Sequence, residues 1–136
     1  MEDKNALVET FNVKLTEFAR DLLALYPKDA DVATFKTSVS MALVVDPRKA
    51  ERMFHKFVTI PYGDALLARD ESVFVNPGLL EAKIQTMADV DTSVDFTETL
   101  LAKLRSYWAD MSENDHLAVW NYFKILVLLS RKLRSD

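Results

Sequence analysis

The apolar run from Leu117 to Leu129, near the end of the chain, constrains everything before it because only Asn121 and Lys124 interrupt it. A helix that is apolar nearly all round must be covered nearly all round by other elements. The run is too short to span a bilayer. We therefore predict that Ser112–Leu133 forms a central helix on which the remaining helices pack.

Both ends of this segment carry signals for helix termini. Ser112 stands three residues before Asp115, as an N-cap stands before its capping-box partner, and Glu113 adds negative charge at the positive end of the helix dipole. Three basic residues suit the negative end of the dipole: Arg131, Lys132 and Arg134. These signals predict where the last helix begins and ends.

The length of 136 residues fits one domain, residues 1–136, and is sufficient to bury a hydrophobic core. The chain has no cysteine, which excludes disulfides and cysteine-based zinc sites and favours a reducing compartment. The N-terminal residues show no basic stretch followed by an apolar one, so we expect no secretory signal. We expect a protein that acts inside a cell and is not secreted.

Apolar residues at helical spacing predict two helices at the start of the chain. The first covers Asp3–Tyr26 and is stopped by Pro27. The second begins at one of two candidate caps, Asp29 or Asp31, and continues to Val45.

A third helix is predicted to begin at Asp46 and Pro47, a cap followed by proline at the first helical position, and to end at Pro61. The stretch after it is less regular. We expect one or two helical turns around Asp64–Arg69 and an extended or turn segment through Val73–Val75.

In the second half, a turn at Pro77–Gly78 precedes a short helix over Leu79–Met87 and a polar linker over Asp89–Asp95. A helix over Phe96–Met111 then forms an antiparallel hairpin with the last helix. The predicted fold is all-α, a single compact bundle of five to seven helices around the C-terminal helix, with a short extended segment near residues 72–76.

Twelve apolar residues at core spacing on these helices are the predicted structural core. They are Phe11, Leu15, Phe18, Leu22, Phe35, Phe54, Phe57, Leu104, Trp108, Trp120, Phe123 and Leu126. We interpret the aromatic residues as packing groups, with exposed anchors for a partner as the alternative.

Gly63 and Gly78 are the only glycines in the chain. A phosphate-binding P-loop, a dinucleotide fingerprint and a nucleophile elbow each need more glycines than this, at fixed spacing. The sequence therefore excludes the commonest devices for holding nucleotides and for presenting a catalytic serine, and we expect no cofactor.

The two histidines each have a glutamate at helical spacing, in the pairs Glu51 with His55 and Glu113 with His116. A stable metal site needs three or four converging ligands, and neither pair has further ligands nearby in the sequence. We interpret both pairs as solvated surface positions and expect no metal site.

Three aspartates and a serine before the predicted helix Phe96–Met111 imitate the first ligands of a calcium loop: Asp89, Asp91, Ser93 and Asp95. In that register Val94 stands where the loop requires glycine, and Leu100 stands where it requires glutamate. We interpret the segment as a charged linker.

Basic residues lie on one stripe of the predicted third helix, Arg48, Arg52 and Lys56, with Lys49 beside it. Together with the basic C-terminus they are the candidate contacts for a partner or a phosphate, although a charged outward face is also typical of any surface helix. Net charge is zero over residues 1–63, −7 over 64–115 and +3 over 116–136. This distribution disfavours nonspecific nucleic-acid binding.

Three groups of residues form a recognisable pattern along most of the chain. They are Phe11-Asn12 with Tyr26-Pro27-Lys28-Asp29, then Pro61-Tyr62 with Val73-Phe74, and Trp108 followed by Ser112-Glu113-Asn114, Trp120 and Tyr122. The pattern resembles small uncharacterised helical proteins encoded by large DNA viruses of algae and protists. The resemblance implies a setting, the host cytoplasm or nucleus or the virion, and implies no catalytic residue.

We therefore expect a non-enzymatic structural or protein-interaction protein, a virion component or a host-directed binding module, whose partner is a viral or host protein. The alternative is a nucleic-acid-associated factor that uses the basic stripe and the basic C-terminus. An enzyme has less support, because these residues provide no nucleophile with a base and no metal cluster.

Overall fold

The described part of the chain, residues 4–75 and 95–134 of a computed structural model, is helical almost throughout and contains no strand. The elements are α1 (Lys4–Leu25), α2 (Ala30–Val45), α3 (Lys49–Phe54), a π-helical turn (His55–Thr59), α4 (Ile60–Leu67), α5 (Ser72–Val75), α6 (Asp95–Tyr107), a 3-10 turn (Trp108–Asp110) and α7 (Glu113–Arg134). The all-α prediction is confirmed. Three predicted features lie outside the described residues: the turn at Pro77–Gly78, the helix Leu79–Met87 and residues 89–94 of the polar linker.

Helix α7 occupies the predicted central position, in contact with α1, α3, the π-helical turn and α4. The expectation that it would be covered nearly all round is wrong. Leu117, Ile125 and Leu128 are 41%, 36% and 46% exposed, because the other helices in the described part of the chain leave this side of α7 uncovered. No helix in the described part of the chain is long and apolar enough to cross a membrane.

Two predicted caps are present with the expected geometry. The Ser112 hydroxyl accepts the backbone N–H of Asp115 at 3.1 Å and starts α7. Of the two candidates at the start of α2, Asp29 is the cap, and its carboxylate accepts the N–H groups of Asp31 and Val32 at 2.8 and 3.2 Å.

The start of the third helix differs in detail from the prediction. The Asp46 carboxylate accepts the N–H of Arg48 at 3.0 Å, but α3 begins at Lys49, so Pro47 precedes the helix. Asp46 therefore stabilises the turn between α2 and α3, and the N-cap position of α3 is occupied by Arg48.

The prediction that Pro61 ends the third helix is wrong, since helical structure continues from α3 through the π-helical turn into α4. In a regular α-helix the proline ring would clash with the carbonyl four residues earlier. Here the Ile60 N–H bonds to the His55 carbonyl, five residues earlier, so the turn is already widened when the chain reaches Pro61. The widened turn accommodates the ring without ending the helix.

The predicted extended segment near residues 72–76 is instead the helical turn α5. The Asp70 carboxylate accepts the N–H of Ser72 at 3.0 Å, and the Glu71 carbonyl accepts the N–H groups of Phe74 and Val75. This capped turn buries Phe74, which is only 1% exposed, against the rest of the core. Local hydrogen bonds and burial thus outweigh the strand preference of these residues.

Of the twelve predicted core residues, only Phe57 is partly exposed, and it packs against the core. Phe123 lies at the middle of the core, with ring centroids 5.4 Å from Phe18, 6.3 Å from Phe54 and 5.9 Å from Phe74. Its neighbours come from α1, α3 and α5, so a single side chain of α7 joins four helices.

Candidate functional site

A cleft of about 430 Å³ opens where the start of α1, the start of α3 and the end of α7 meet. Seven side chains from residues 4–75 and 95–134 line it: Lys4, Val8, Arg48, Glu51, Arg52, Leu133 and Arg134. Four of the seven are cationic and one is anionic, although the whole chain has a net charge of −4. The cleft therefore concentrates positive charge on an acidic protein, which favours an anionic ligand.

An ion pair between Glu51 and Arg134 lies in the cleft. Arg134 Nη2 donates to Glu51 Oε2 at 3.1 Å, and Nη1 lies 3.1 Å from Oε1 in poorer hydrogen-bond geometry. The Glu51 side chain is only 3% exposed, whereas that of Arg134 is 37% exposed. The pair fixes the end of α7 against α3 and leaves part of the guanidinium accessible.

The other two arginines have weaker partners. Arg48 donates to the neutral side-chain oxygen of Asn5 at 2.8 Å, which does not neutralise its charge. Arg52 pairs with Asp46 at 2.8 Å, but both side chains are at least 40% exposed, and such surface pairs are weak. The backbone N–H of Arg48 and, after it, the Arg52 guanidinium lower the pKa of Asp46. An incoming carboxylate can therefore compete for both guanidinium groups.

Three of the seven basic residues named from the sequence line the cleft: Arg48, Arg52 and Arg134. The other four lie elsewhere on the described surface. Lys49 and Lys132 do not line the cleft, and Lys56 is exposed beside the ring of Phe57.

Arg131 points away from the cleft, across α4, where it pairs with Asp64 at 2.7 Å. Gly63 makes that position accessible, because a Cβ atom there would lie 2.8 Å from the guanidinium.

Four residues of this site were not predicted from the sequence: Lys4, Val8, Glu51 and Leu133. Lys4 and Val8 are four residues apart and so share one face of α1, which is the only signal that the sequence offered. Glu51 was interpreted as solvated, yet it is buried, because the end of α7 covers it.

A second polar cluster lies between the π-helical turn and α7. Thr59 donates to the Ser130 hydroxyl at 3.0 Å, which leaves the Ser130 proton for Nδ1 of His55 at 2.9 Å. Burial, and then the Arg134 guanidinium, lower the pKa of His55, in keeping with a neutral ring that accepts this proton. Ser130 is 0% exposed, so its hydroxyl cannot meet a substrate.

The interpretation of both histidines as solvated surface positions is wrong. His55 is held by Ser130, and the His116 ring stacks on Trp108 with centroids 3.9 Å apart and bonds through Nε2 to the Trp108 carbonyl at 2.7 Å. Each ring contacts a residue of another helical element, and the spacing along the sequence did not predict either contact. Across residues 4–75 and 95–134, no three histidine or acidic side chains converge as metal ligands would.

A shallower groove of about 390 Å³ lies at the turn between α1 and α2, lined by Tyr26, Pro27, Lys28, Asp29 and Tyr107. Its carboxylate, Asp29, accepts hydrogen bonds from Tyr107 and Lys103 and caps α2. The Tyr107 hydroxyl, followed by Lys103 and the backbone N–H groups, lowers the pKa of Asp29 to about 2. These contacts hold the helices together and occupy the polar groups, so the cationic cleft is the better candidate site.

Comparison of the chain with protein-family models, with curated proteins and with solved structures finds no match.

Proposed function

We propose that this protein is a non-enzymatic protein-interaction module that binds an acidic segment of a partner protein in the cationic cleft. The observation that carries the proposal is the convergence of Arg48, Arg52 and Arg134, from the start of α3 and the end of α7, on a single concave surface.

The chemistry of the cleft matches a peptide that carries carboxylates and an apolar side chain. Arginine presents a planar fork of donors that fits a carboxylate, and the cleft contains three of these side chains. Val8 and Leu133 contribute apolar side chains to the wall of the cleft. A volume of about 430 Å³ falls in the range of about 300–1,000 Å³ that is typical of pockets for small ligands or short segments.

Two features support a binding role over a catalytic one. Among the described residues, the side chains that line the cleft include neither a histidine nor a hydroxyl nucleophile. The paired serine and histidine in the described residues, Ser130 and His55, belong to the buried cluster, and that serine is closed to solvent.

Nucleic-acid binding is the second candidate, because the cleft joins the two basic sets on which that alternative rests. A nucleic acid presents a row of phosphates and is best matched by an extended basic track. Here the three arginines surround one concavity that also contains Glu51, and the chain as a whole is acidic. These features favour the acidic protein segment.

The resemblance to viral proteins adds a setting to the proposal, in which the partner is a viral or a host protein. If the chain is a virion component, an antibody raised against it will detect it in purified particles. Detection only in infected-cell extracts would favour a host-directed binding module.

Fluorescence anisotropy tests the proposal with two labelled probes, a short peptide of alternating glutamate and leucine and a single-stranded DNA of equal net charge. We expect the peptide to bind, and Arg48→Gln with Arg52→Gln to weaken it at least about tenfold, since each lost charge-assisted hydrogen bond is worth about 1.5–3 kcal/mol. The control, Arg20→Gln with Lys56→Gln, removes the same charge elsewhere and should change the affinity by less than about twofold.

Tight DNA binding that falls steeply with salt and is lost in the Arg48, Arg52 variant would overturn the proposal and support the nucleic-acid alternative. Peptide binding that both double variants reduce equally would show general attraction by charge and would remove the cleft from consideration. Absence of peptide binding would also reject the proposal.

A further inference from the structure

The last turns of α2 carry three strongly exposed apolar side chains, which together form the apolar tip: Met41, Val44 and Val45. They are 64%, 85% and 82% exposed. Residues three and four positions apart share one face of a helix, so the three side chains form one patch. The opposite face of α2, which carries Phe35 and Val39, is the one buried in the core. No helix in the described part of the chain covers the apolar tip.

Positive charge lies directly beyond the apolar tip. Arg48 follows Val45 by three residues, so their Cα atoms are at most about 11 Å apart. Arg48 and Arg52 are both exposed and both line the cationic cleft, among whose described residues four cationic side chains outnumber one carboxylate. The carboxylate of the intervening turn, Asp46, pairs with Arg52. The exposed apolar side chains thus adjoin a surface with an excess of cations.

We propose that this end of the molecule docks on an anionic lipid bilayer. The apolar tip enters the interfacial layer of the bilayer, and Arg48 and Arg52 contact the phosphates and carboxylates of the lipid headgroups. Apolar side chains beside cations are the combination that holds peripheral proteins on such membranes, because apolar burial and electrostatic attraction act together. The apolar tip does not line the cleft, so the proposal does not rest on the proposed function.

Size and shape favour a bilayer over a second protein surface. A standard protein interface buries about 800 Å² on each partner, whereas the apolar tip consists of three side chains. Side chains as exposed as Val44 and Val45 project from the surface, and a protein partner would need a cavity shaped to receive them. A bilayer needs no such cavity, because its fluid interfacial layer accommodates inserted apolar groups.

The uneven charge of the chain supports the same orientation. Net charge is zero over residues 1–63 and −7 over residues 64–115. An anionic membrane repels the acidic part of the chain and attracts the cations beside the apolar tip. Salt screens this attraction, so binding should weaken as the salt concentration rises.

Co-sedimentation with lipid vesicles measures the binding. Vesicles that contain phosphatidylserine should bind the protein at least about fivefold more tightly than vesicles of phosphatidylcholine alone, because each cation at an anionic surface adds attraction. Val44→Ser with Val45→Ser should weaken this binding at least about tenfold, through the loss of buried apolar area. Both side chains are strongly exposed, so this serine variant should remain folded.

A matched control removes two exposed apolar side chains elsewhere. Ile60 on α4 and Val75 on α5 are 68% and 56% exposed. Ile60→Ser with Val75→Ser should change vesicle binding by less than about twofold. A control that weakens binding as much as the serine variant would show that apolar exposure in general, and not the apolar tip, holds the protein on the vesicles.

Charge neutralisation tests the cations beside the apolar tip. Arg48→Gln with Arg52→Gln should weaken binding to phosphatidylserine vesicles at least about fivefold. Arg20→Gln with Lys124→Gln removes the same charge from exposed positions on α1 and α7, and should change binding by less than about twofold. Equal effects of the two double variants would reject the proposed orientation.

A fluorescent dye locates the inserted residue, since the chain has no native cysteine. An environment-sensitive dye attached to Val44→Cys should shift its emission to shorter wavelength when phosphatidylserine vesicles are added. The same dye attached to Ile60→Cys should show no shift while the protein is bound. Equal shifts at the two positions would show that the apolar tip is not the inserted part.

Three further outcomes would overturn the proposal. They are equal binding to both kinds of vesicle, binding to neither, and a serine variant that binds as tightly as the parent. Sedimentation equilibrium without lipid tests a second copy as the occupant, and a wild-type dimer that the serine variant loses would assign the apolar tip to that contact instead. Acidic-peptide binding in the cleft should be unchanged in the serine variant, so failure of either proposal can be recognised separately.

Discussion

At the scale of single residues, two buried polar atoms reduce the stability of the core, the Tyr62 hydroxyl and the Trp108 indole N–H. Both are buried, and neither has a hydrogen-bond partner among the residues that the structure describes. A buried polar group without a partner costs about 1–3 kcal/mol. Burial also raises the pKa of Tyr62 to about 12, so its hydroxyl stays neutral at physiological pH.

We predict that Tyr62→Phe raises the free energy of unfolding by about 1 kcal/mol, because it removes a buried hydroxyl and keeps the ring. Urea denaturation measures the change. Tyr122→Phe is the matched control, since its hydroxyl donates to Asp21 and its loss should lower stability. A loss of stability in Tyr62→Phe would show that this hydroxyl has a favourable partner.

The ion pair between Glu51 and Arg134 leads to a second prediction. Arg134→Ala leaves the 3% exposed Glu51 side chain without its cation and should cost about 1–3 kcal/mol. Glu51→Gln retains an acceptor for Arg134 and should cost less. The two changes combined should cost less than the sum of the single effects, because they remove the same contact. Additive effects in urea denaturation would contradict a direct interaction.

His55 should make stability depend on pH. Burial first, and then Arg134, lower its pKa below 6.5, against the opposing effect of Glu51 and with a smaller contribution from Arg131. The unfolded chain therefore takes up the His55 proton at higher pH than the folded chain. The contribution of a neutral His55 to stability is fully present above about pH 6.5. It is lost as the pH falls from 6.5 towards the folded-state pKa.

The urea concentration at the unfolding midpoint should accordingly decrease as the pH is lowered from about 7.5 to about 5.5. His55→Gln should make this dependence on pH less steep. Asp29, Asp46 and Asp70 have lowered pKa values, so their contributions are lost only below about pH 3.8. An unchanged slope in His55→Gln would assign the pH dependence to other groups.

At the scale of elements, the π-helical turn is held by a contact with α7. His55 and Thr59 are the first and last residues of the turn, and both bond to Ser130. A wider helical turn is less favourable than an α-helical one, so it needs such contacts to persist. The buried serine thus couples the shape of one helix to the position of another.

We predict that Ser130→Ala costs about 1–3 kcal/mol, because it leaves the polar groups of His55 and Thr59 without their shared partner in a buried place. Hydrogen exchange at the Ile60 amide, which bonds to the His55 carbonyl, should also become faster. Ser40→Ala, on the exposed face of α2, is the control and should change little. A loss of stability without faster exchange at Ile60 would separate Ser130 from the π-helical turn.

At the scale of the whole molecule, aromatic contacts around Phe123 join α1, α3, α5 and α7 into one core. Trp108 and Trp120 extend it, each in contact with Phe74. Because every helix in this group shares the same central ring, partial unfolding of one would expose the others. We expect these helices to unfold together in a single transition.

Phe123→Ala and Trp120→Ala should each cost about 3–5 kcal/mol, with Phe123→Ala at least as damaging, because Phe123 is 0% exposed and joins three neighbouring rings. Denaturation followed by circular dichroism measures both. Val44→Ala, at a side chain that is 85% exposed, is the control and should change stability by less than about 0.5 kcal/mol. A small effect of Phe123→Ala would show that its ring is not the centre of the core.

The features predicted correctly from the sequence are those that depend on neighbouring residues. The Ser112 and Asp29 caps are local, and the periodic apolar residues of α1 and α7 needed no knowledge of the partner helix. Two errors are local, the start of the third helix at Lys49 and the helical turn α5, and the others concern contacts between distant residues. Pro61 stays within a helix because the preceding turn is widened and held from α7, and no short-range rule for proline includes that contact.

The same distinction applies to the candidate site. Arg48, Arg52 and Arg134 were predicted from the sequence as candidate contacts, but on two separate surfaces. Their convergence depends on how α7 crosses α3, and the burial of Glu51 depends on the same crossing. Spacing along one helix contains no information about either.

The π-helical turn also has a consequence for the evolutionary history of the chain. A turn that bonds five residues back holds one residue more than an α-helical turn, as if a single amino acid had been inserted into an ordinary helix. An ancestor without that residue would align with this chain across a one-residue gap between positions 55 and 59. Because the widened turn accommodates Pro61 and is tied to Ser130, the gap, the proline and the serine should have been gained or lost together.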